Sequence, residues 1–241
     1  ELGLKSSLLD RHLTVNAAAF YTNYHNYQAQ VFATGALIEP LVLANAGART
    51  EGIELEANLH EHNTNVNISG AYIDAKFTNF TGAPCYPTQS VAQGCVADAT
   101  GNFSQNLSGA SLPDSPKLKL NASIEQTVPL NSFNLLLNGN LAYRTDTYLQ
   151  ADQNPQTFQP GFALLDASIG FQSKNKRTTL TLFVNNITDH FYLTDAEDFF
   201  SGAFGVVNPN GTYTGGPANV VVGQPARDAH RYFGARVEFK F

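Results

Sequence analysis

The chain has 241 residues, enough for one large domain or two small ones, with 14% charged residues and a formal net charge of -6. A pI near 5.4 and the lack of a basic stripe argue against nucleic acid as a partner, because phosphate binding needs clustered Lys and Arg. A mean hydropathy of -0.19, with no apolar run of the length a transmembrane helix needs, excludes a helical membrane protein.

Alternation of apolar and polar residues predicts nine β-strands. The first, at 1–9, sets Leu2, Leu4 and Leu8 on one face, and the second, at 12–32, does so with Leu13, Val15, Ala17, Ala19 and Tyr21. The third, at 44–60, opposes Ile53, Leu55, Ala57 and Leu59 to Glu54, Glu56, Asn58 and His60. The fourth, at 64–78, carries Val66, Ile68, Gly70 and Tyr72, and the fifth, at 116–128, carries Leu118, Leu120, Ala122 and Ile124. The sixth spans 133–150, the seventh 161–173 and the eighth 177–193, each with the same alternation. The ninth runs to the end of the chain. There Phe233, Ala235, Val237, Phe239 and Phe241 alternate with Tyr232, Gly234, Arg236, Glu238 and Lys240. One greasy face and one wet face suit a strand with lipid on one side and water on the other.

The connections carry a second regularity. Those near 9–12, 61–64, 129–132 and 173–177 are tight and polar; those at 33–44, 79–115, 151–160 and 194–229 are long and rich in Gly, Pro, Asn and aromatics. Short turns on one rim and long loops on the other are the layout of an outer-membrane barrel. The expected orientation puts the C-terminus in the periplasm and the long loops outside the cell. Nine is an odd count, and an open edge cannot stand in lipid. The expected fold is therefore all-β: the C-terminal part, over 1–241, of a larger transmembrane antiparallel β-barrel. Residue 1 already lies in an alternating run, so the chain is expected to begin inside a longer protein. Cys85 and Cys95 sit close together in one polar stretch, without the four ligands of a structural zinc site. They read as a local disulfide, which implies an oxidising compartment, or as two free thiols.

Three stretches resemble the TonB-dependent receptors of Gram-negative outer membranes. They are NAGARTEGIELE at 45–56, LFVNNITDHFY at 182–192 and the terminal strand; Ser115 to Leu118 resembles a family strand start. In the second, Val184, Asn186, Ile187, Asp189 and Tyr192 carry the pattern. The resemblance implies a 22-stranded barrel, an N-terminal plug and energy-coupled uptake of a bulky nutrient such as an iron-siderophore, haem, cobalamin or glycan. It implies as partners the chain's own plug, the inner-membrane TonB complex, outer-membrane lipid and the barrel-assembly machinery. That machinery reads the terminal strand, so Phe233, Val237, Phe239 and Phe241 are the expected insertion signal. No plug or coupling box is present in these residues. A passive porin or small closed barrel is the alternative; an outer-membrane lipase or protease and a soluble β-rich module are further ones.

Among candidate contacts, the loop aromatics Tyr148, Phe158, Tyr192, Phe199, Phe200, Phe204 and Tyr213, with Tyr86 and Phe103, could stack on a planar ligand or pack loop on loop. Glu51, Glu54 and Glu56 read as consecutive acids on a wet inner wall, not a catalytic pair. His60 and His62 flank Glu61 at a turn, and Asp195, Glu197 and Asp198 could offer hard oxygens to Ca²⁺. Solvated side chains are the simpler reading of both, so no metal or cofactor is assigned. No nucleophile elbow or phosphate loop is present, and no catalytic residue is expected.

Overall fold

A computed structural model describes residues 1–32, 41–97, 103–199, 206–207, 213–214 and 220–241. Phe200 and Phe204 lie outside them. Nine strands pair antiparallel in chain order: β1 (Leu2–Leu8), β2 (Leu13–Phe32), β3 (Leu41–Glu61), β4 (Thr64–Asn79), β5 (Leu118–Pro129), β6 (Phe133–Arg144), β7 (Phe162–Ser173), β8 (Thr178–Asn185) and β9 (Tyr232–Phe239).

Register carries the greasy face across the sheet. Leu4, Ala17, Leu55, Gly70, Leu120 and Tyr143 form one cross-strand row over β1 to β6. Val66, Ile124, Gly139, Ala167, Val184 and Phe233 form another over β4 to β9. Directly opposed residues share a face, so both rows lie on one side of the sheet. That side is open: Leu4 is 65% exposed, Leu55 57% and Phe233 74%. Apolar side chains left open in row after row form a surface that water cannot stabilise, as a lipid-facing barrel wall requires. The interleaved rows are polar, as in Asn58, Asn67, Ser123, Asn140 and Asp166.

The short turns adopt left-handed backbone where tightness demands it. Leu9, Asp10 and Arg11 all have positive φ (51°, 52° and 73°), as do His62 (48°) and Lys176 (58°). Asn175 closes the last of these turns, its Oδ1 accepting from the Ser173 hydroxyl and the Arg177 amide.

Three expectations need correction. The sixth strand stops at Arg144, not 150: Thr147–Tyr148 pairs with Phe158–Gln159 in a separate two-stranded ladder. The eighth stops at Asn185, not 193, because Asn186 enters the left-handed region (φ 51°). The long connections are not plain loops. The 79–115 stretch holds strands Thr81–Ala83, Val96–Ala97 and Phe103–Asn106 and a 3₁₀ turn, and Leu193–Phe199 pairs with Val220–Pro225.

A compact core does exist, and it sits where the long loops meet the sheet. In β2 an extra residue separates Tyr24, opposite Ala48, from Tyr27, opposite Ala46. This bulge reverses the parity of the strand, so Ala29 and Val31 now share the polar side of the sheet with Ala46 and Ala48. Ala75, Phe77, Phe80, Ala83, Leu107, Leu112 and Ala151 complete a buried cluster with them. Phe77 is fully buried, its ring 4.9 Å from that of Phe80 and 6.1 Å from that of Tyr27. The 79–115 loop is thus folded inward over the wall.

Candidate functional site

The polar face is built mainly from neutral amides and hydroxyls paired sideways. Asn16 and Asn58 both donate through Nδ2 to the Glu56 carboxylate, at 3.1 and 3.0 Å. Asn67 donates to Ser123 Oγ (3.2 Å), Asn138 to Ser168 Oγ (3.0 Å) and Asn134 to Gln172 Oε1 (3.3 Å). Near one edge, Lys5, Asn16, Glu54, Glu56, Lys119 and Asn121 help line a depression of about 750 Å³. Glu51 does not join Glu54 and Glu56: regular alternation from 48 to 61 turns it to the opposite face, where it pairs with Arg49 at 3.0 Å. The three acids therefore do not form the single wall expected from their closeness in sequence.

Above this wall the long loops lock to one another. Gln105 donates from Nε2 to the carbonyls of Pro84 (2.9 Å) and Asp152 (3.0 Å), joining the 79–115 loop to the 145–161 loop. Gln153 Nε2 donates to Ser111 O (3.1 Å), and the Asp114 amide donates to Tyr148 O (2.8 Å). The 145–161 loop in turn reaches the hairpin formed by Leu193–Phe199 and Val220–Pro225. There the Asn154 side chain donates from Nδ2 to Asp198 Oδ2, and the Leu193 backbone N–H donates to Gln159 Oε1 at 3.0 Å. Asn154, Thr157 and Asp198 are each 1% exposed. The Asn154-Pro155 pair is the local signal for this turn, Asn capping it and Pro starting it with φ preset. No sequence pattern marks Gln105 or Asp198 as its partners, because they lie far off in the chain. Cys85 and Cys95, both in the 79–115 loop, are joined, with Cα atoms 5.8 Å apart, and both are buried.

The LFVNNITDHFY stretch is a structural knot. Asn186 is fully buried and serves four partners. Its Nδ2 donates to His190 O (3.0 Å) and Asp228 O (2.9 Å), and its Oδ1 accepts from the His190 amide and the Thr188 hydroxyl. Its own amide donates to Asp166 Oδ1 (2.8 Å), and Asp189 accepts from the Arg231 amide (2.9 Å). The knot ties β7, β8 and the approach to β9 together. The Arg231 amide beside Asp189 holds that carboxyl below its usual value. Tyr192 belongs here too: its hydroxyl donates to Asp228 Oδ1 (2.6 Å) and its ring lies 4.5 Å from that of Phe162. Burial, then the bond to Asp228, raises the Tyr192 phenol.

The remaining candidate aromatics are dispersed. Tyr148 and Phe158 face each other across their short ladder, rings 5.1 Å apart and edge to face, with Phe158 40% exposed. Tyr86 is half-buried; Phe103 is open. Phe199 ends a strand and Tyr213 pairs with Val207. Asp195, Glu197 and Asp198 alternate along one strand, so Asp198 points away from the other two. Among the described residues no three His, Cys, Asp or Glu side chains converge as metal ligands. His12 and His62 contact Glu61, and His60 pairs with Asn65, all at the rim of short turns. On β9, Phe233, Val237 and Phe239 are open on the greasy face, and Phe241, two residues past the end of the strand, is open as well.

Known proteins supply a context for this arrangement. The family model "TonB dependent receptor-like, beta-barrel" matches residues 1–187. A probable TonB-dependent siderophore receptor of Acinetobacter baumannii, PiuA, is 27% identical over 198 residues, which is 81% of this chain and 23% of that protein. The chain thus spans about a quarter of the length of that curated relative. Among solved structures, the ferric yersiniabactin uptake receptor FyuA of Yersinia pestis superposes with TM-score 0.63 at 21% identity, over 99% of this chain and 29% of that one. The PiuA structure gives 0.63 at 20% identity over 99% and 28%. The ferric-catecholate import receptor Fiu of E. coli gives 0.59 at 18% over 99% and 27%.

Proposed function

The chain belongs to the TonB-dependent receptor β-barrel family, whose members are outer-membrane barrels and transport receptors, and from that premise we propose that it forms the C-terminal part of the wall of a receptor importing iron-siderophore complexes. The observation that carries the substrate class is the likeness to a siderophore receptor along 81% of the chain. The geometry suits the role: an open apolar face for lipid, a wet amide face for a lumen, and three loops locked above it.

In this reading the short turns are periplasmic and the long loops extracellular, so β9 descends to the periplasm. The whole receptor would hold an N-terminal plug against the polar face and couple through it to the TonB complex. Lipid would cover the apolar face, and the barrel-assembly machinery would read β9 through Phe233, Val237, Phe239 and Phe241. Tyr148 and Phe158, with Phe199, Phe200, Phe204 and Tyr213 of the last loop, supply contact area for the ligand. Tyr192 supports them from the knot. No catalytic step is part of this reading.

Uptake of radiolabelled ferric siderophore by iron-starved cells tests it. Cells with the full-length receptor should accumulate iron, and deletion of its gene or collapse of the proton gradient should each abolish the signal. Uptake that survives an uncoupler and falls only with solute size would instead make the protein a passive porin.

A further inference from the structure

Toward the long loops, the outward face of β2, β3 and β4 changes chemistry row by row. Ile53 and Tyr72, opposite each other and both exposed, close the apolar band. In the next row Glu51 faces Asp74, and in the one after Arg49 faces Lys76, bridged as Arg49–Glu51 (3.0 Å) and Lys76–Asp74 (2.6 Å). About 20 Å beyond Ile53 along β3, a groove of about 500 Å³ opens around Gly47, with Asn23, His25, Asn26, Asn45, Thr78 and Asn79 along it. With the long loops extracellular, as in the function proposed, we infer that this groove binds the neutral sugars of an outer-leaflet glycolipid. Its acyl chains lie on the apolar band, and its phosphorylated headgroup meets the charged rows.

Two bulges at the same height shape the groove. β2 gains a residue between Tyr24 and Tyr27, and the β3–β4 ladder shifts beside Gly47, which faces Asn79 and leaves Thr78 over. Gly47 keeps the floor low: a Cβ there would stand 2.6 Å from Thr78 Oγ1. The 79–115 loop packs on the other side of the sheet, through Phe80, Leu107 and Leu112, and all six side chains along the groove are exposed. On the polar face the amides are engaged with their neighbours, as Asn67 is with Ser123. Here, among the described residues, the side chains of Asn26, Asn45 and Asn79 have no hydrogen-bond partner, and Asn23 reaches only the Tyr21 hydroxyl (3.3 Å). An amide presents a donor and an acceptor together, which matches a sugar hydroxyl. The described lining holds no Asp, Glu, Lys or Arg, so nothing in it selects for an ion.

The order of the rows selects a membrane lipid over a soluble glycan. From the bilayer outward, a glycolipid presents hydrocarbon, then a phosphorylated headgroup, then neutral sugars. The outward face presents apolar, cation-bearing and amide rows in that order, on the side that meets lipid. A soluble glycan gains nothing from the apolar band below the groove. Arg49 and Lys76 are already balanced by Glu51 and Asp74, so the charged rows orient the lipid and contribute little affinity. Binding therefore depends on the sugars and only weakly on salt.

The test is native mass spectrometry of the full-length receptor in detergent. It is titrated with lipopolysaccharide carrying its neutral core sugars, and with the same lipid truncated to its acylated, phosphorylated disaccharide. The wild type should hold the sugar-bearing form about tenfold more tightly, a preference that added salt leaves in place. Asn23→Ala with Asn79→Ala should erase the preference and leave binding of the truncated lipid as it was. Asn45→Ala, a single exposed change, serves if the double variant gives no heat-modifiable barrel. Equal affinity for the two lipids in the wild type, a preference that survives in the variants, or one that vanishes with salt overturns the groove. De-acylated core oligosaccharide bound as tightly as the whole lipid would make the ligand a soluble glycan and overturn the glycolipid. Labelling of Asn79→Cys on intact cells by a membrane-impermeant maleimide reads the orientation by itself. Iron uptake is not read, so failure of the proposed function and failure of the groove are told apart.

Discussion

Asn186 sits in a left-handed turn, fully buried, with every polar atom of its side chain engaged. Asn tolerates that backbone because its short side chain can bond locally, whereas Ala pays about 1–2 kcal/mol for it. Asn186→Ala also strands the carbonyls of His190 and Asp228, at about 1–3 kcal/mol for each group left without water. The expected result is a lower thermal midpoint for the purified barrel and protease cleavage within 186–192; unchanged melting and resistance would show that the knot is slack. Gly234 makes a second sharp case. A Cβ there would stand 2.2 Å from Phe183 Cζ, so the ring covers the backbone that the glycine leaves bare. Gly234→Val should destabilise β8 against β9, and Phe183→Ala should relieve the loss. The coupling in that double-mutant cycle should be about 1 kcal/mol or more. Neither role is legible in the sequence, where Asn186 stands out only as part of a family-like pattern and Gly234 only as one of the positions alternating with the apolar face of the terminal strand.

At the scale of elements, the wall was legible and the loops were not. Nine strands follow from period two, because a strand between lipid and water must alternate at every step. The errors fall where that constraint ends. Residues 145–150 and 186–193 still alternate loosely, but they lie beyond the sheet, where Asn186 and local ladders decide the path. Glu51 is close to Glu54 and Glu56 in sequence, but strand parity sets it on the other face. The bulge at His25–Asn26 carries no sequence mark beyond the Asn, yet it turns the upper part of β2 into the support for the loop core. Two predictions belong here. A charge on the greasy face should cost most at mid-depth: Leu182→Arg about 2–4 kcal/mol, and Phe239→Asp near the rim about 1 kcal/mol or less. Denaturant titration of the refolded barrel in lipid vesicles checks the ranking, and equal costs would mean that β9 lies at the same depth as the middle of β8. If Phe239→Asp with loss of Phe241 nevertheless abolishes surface-exposed barrel in cells, the terminal strand acts in assembly beyond its stability. Reducing the Cys85–Cys95 bond should cost the 79–115 loop about 2–3 kcal/mol through the freed chain and leave the sheet ladders intact. Faster proteolysis of that loop alone, with an unchanged gel shift of the barrel, is the expected readout.

At the scale of the whole molecule, the sheet ends on two borders, β1 and β9, that are unpaired among the described residues. Open borders beside an apolar face invite pairing with other chains. The nine strands expressed alone should therefore refold into heterogeneous oligomers, while the full-length receptor gives a single heat-modifiable band; a monodisperse monomer of the nine strands would show that they close without help. The amide rows of the polar face bear on movement as well as on wetting. Their donors and acceptors are mostly neutral and already matched to a neighbour on the next strand, as Asn67 is to Ser123 and Asn138 to Ser168. A polypeptide or chelate sliding along such a surface exchanges one neutral partner for another, or for water, at nearly constant free energy. If the parent receptor moves cargo along it as proposed, the amide-lined part of the wall would behave as a lubricated bearing, with few deep wells away from Lys5, Glu54, Glu56 and Lys119 and little change of drag with added salt.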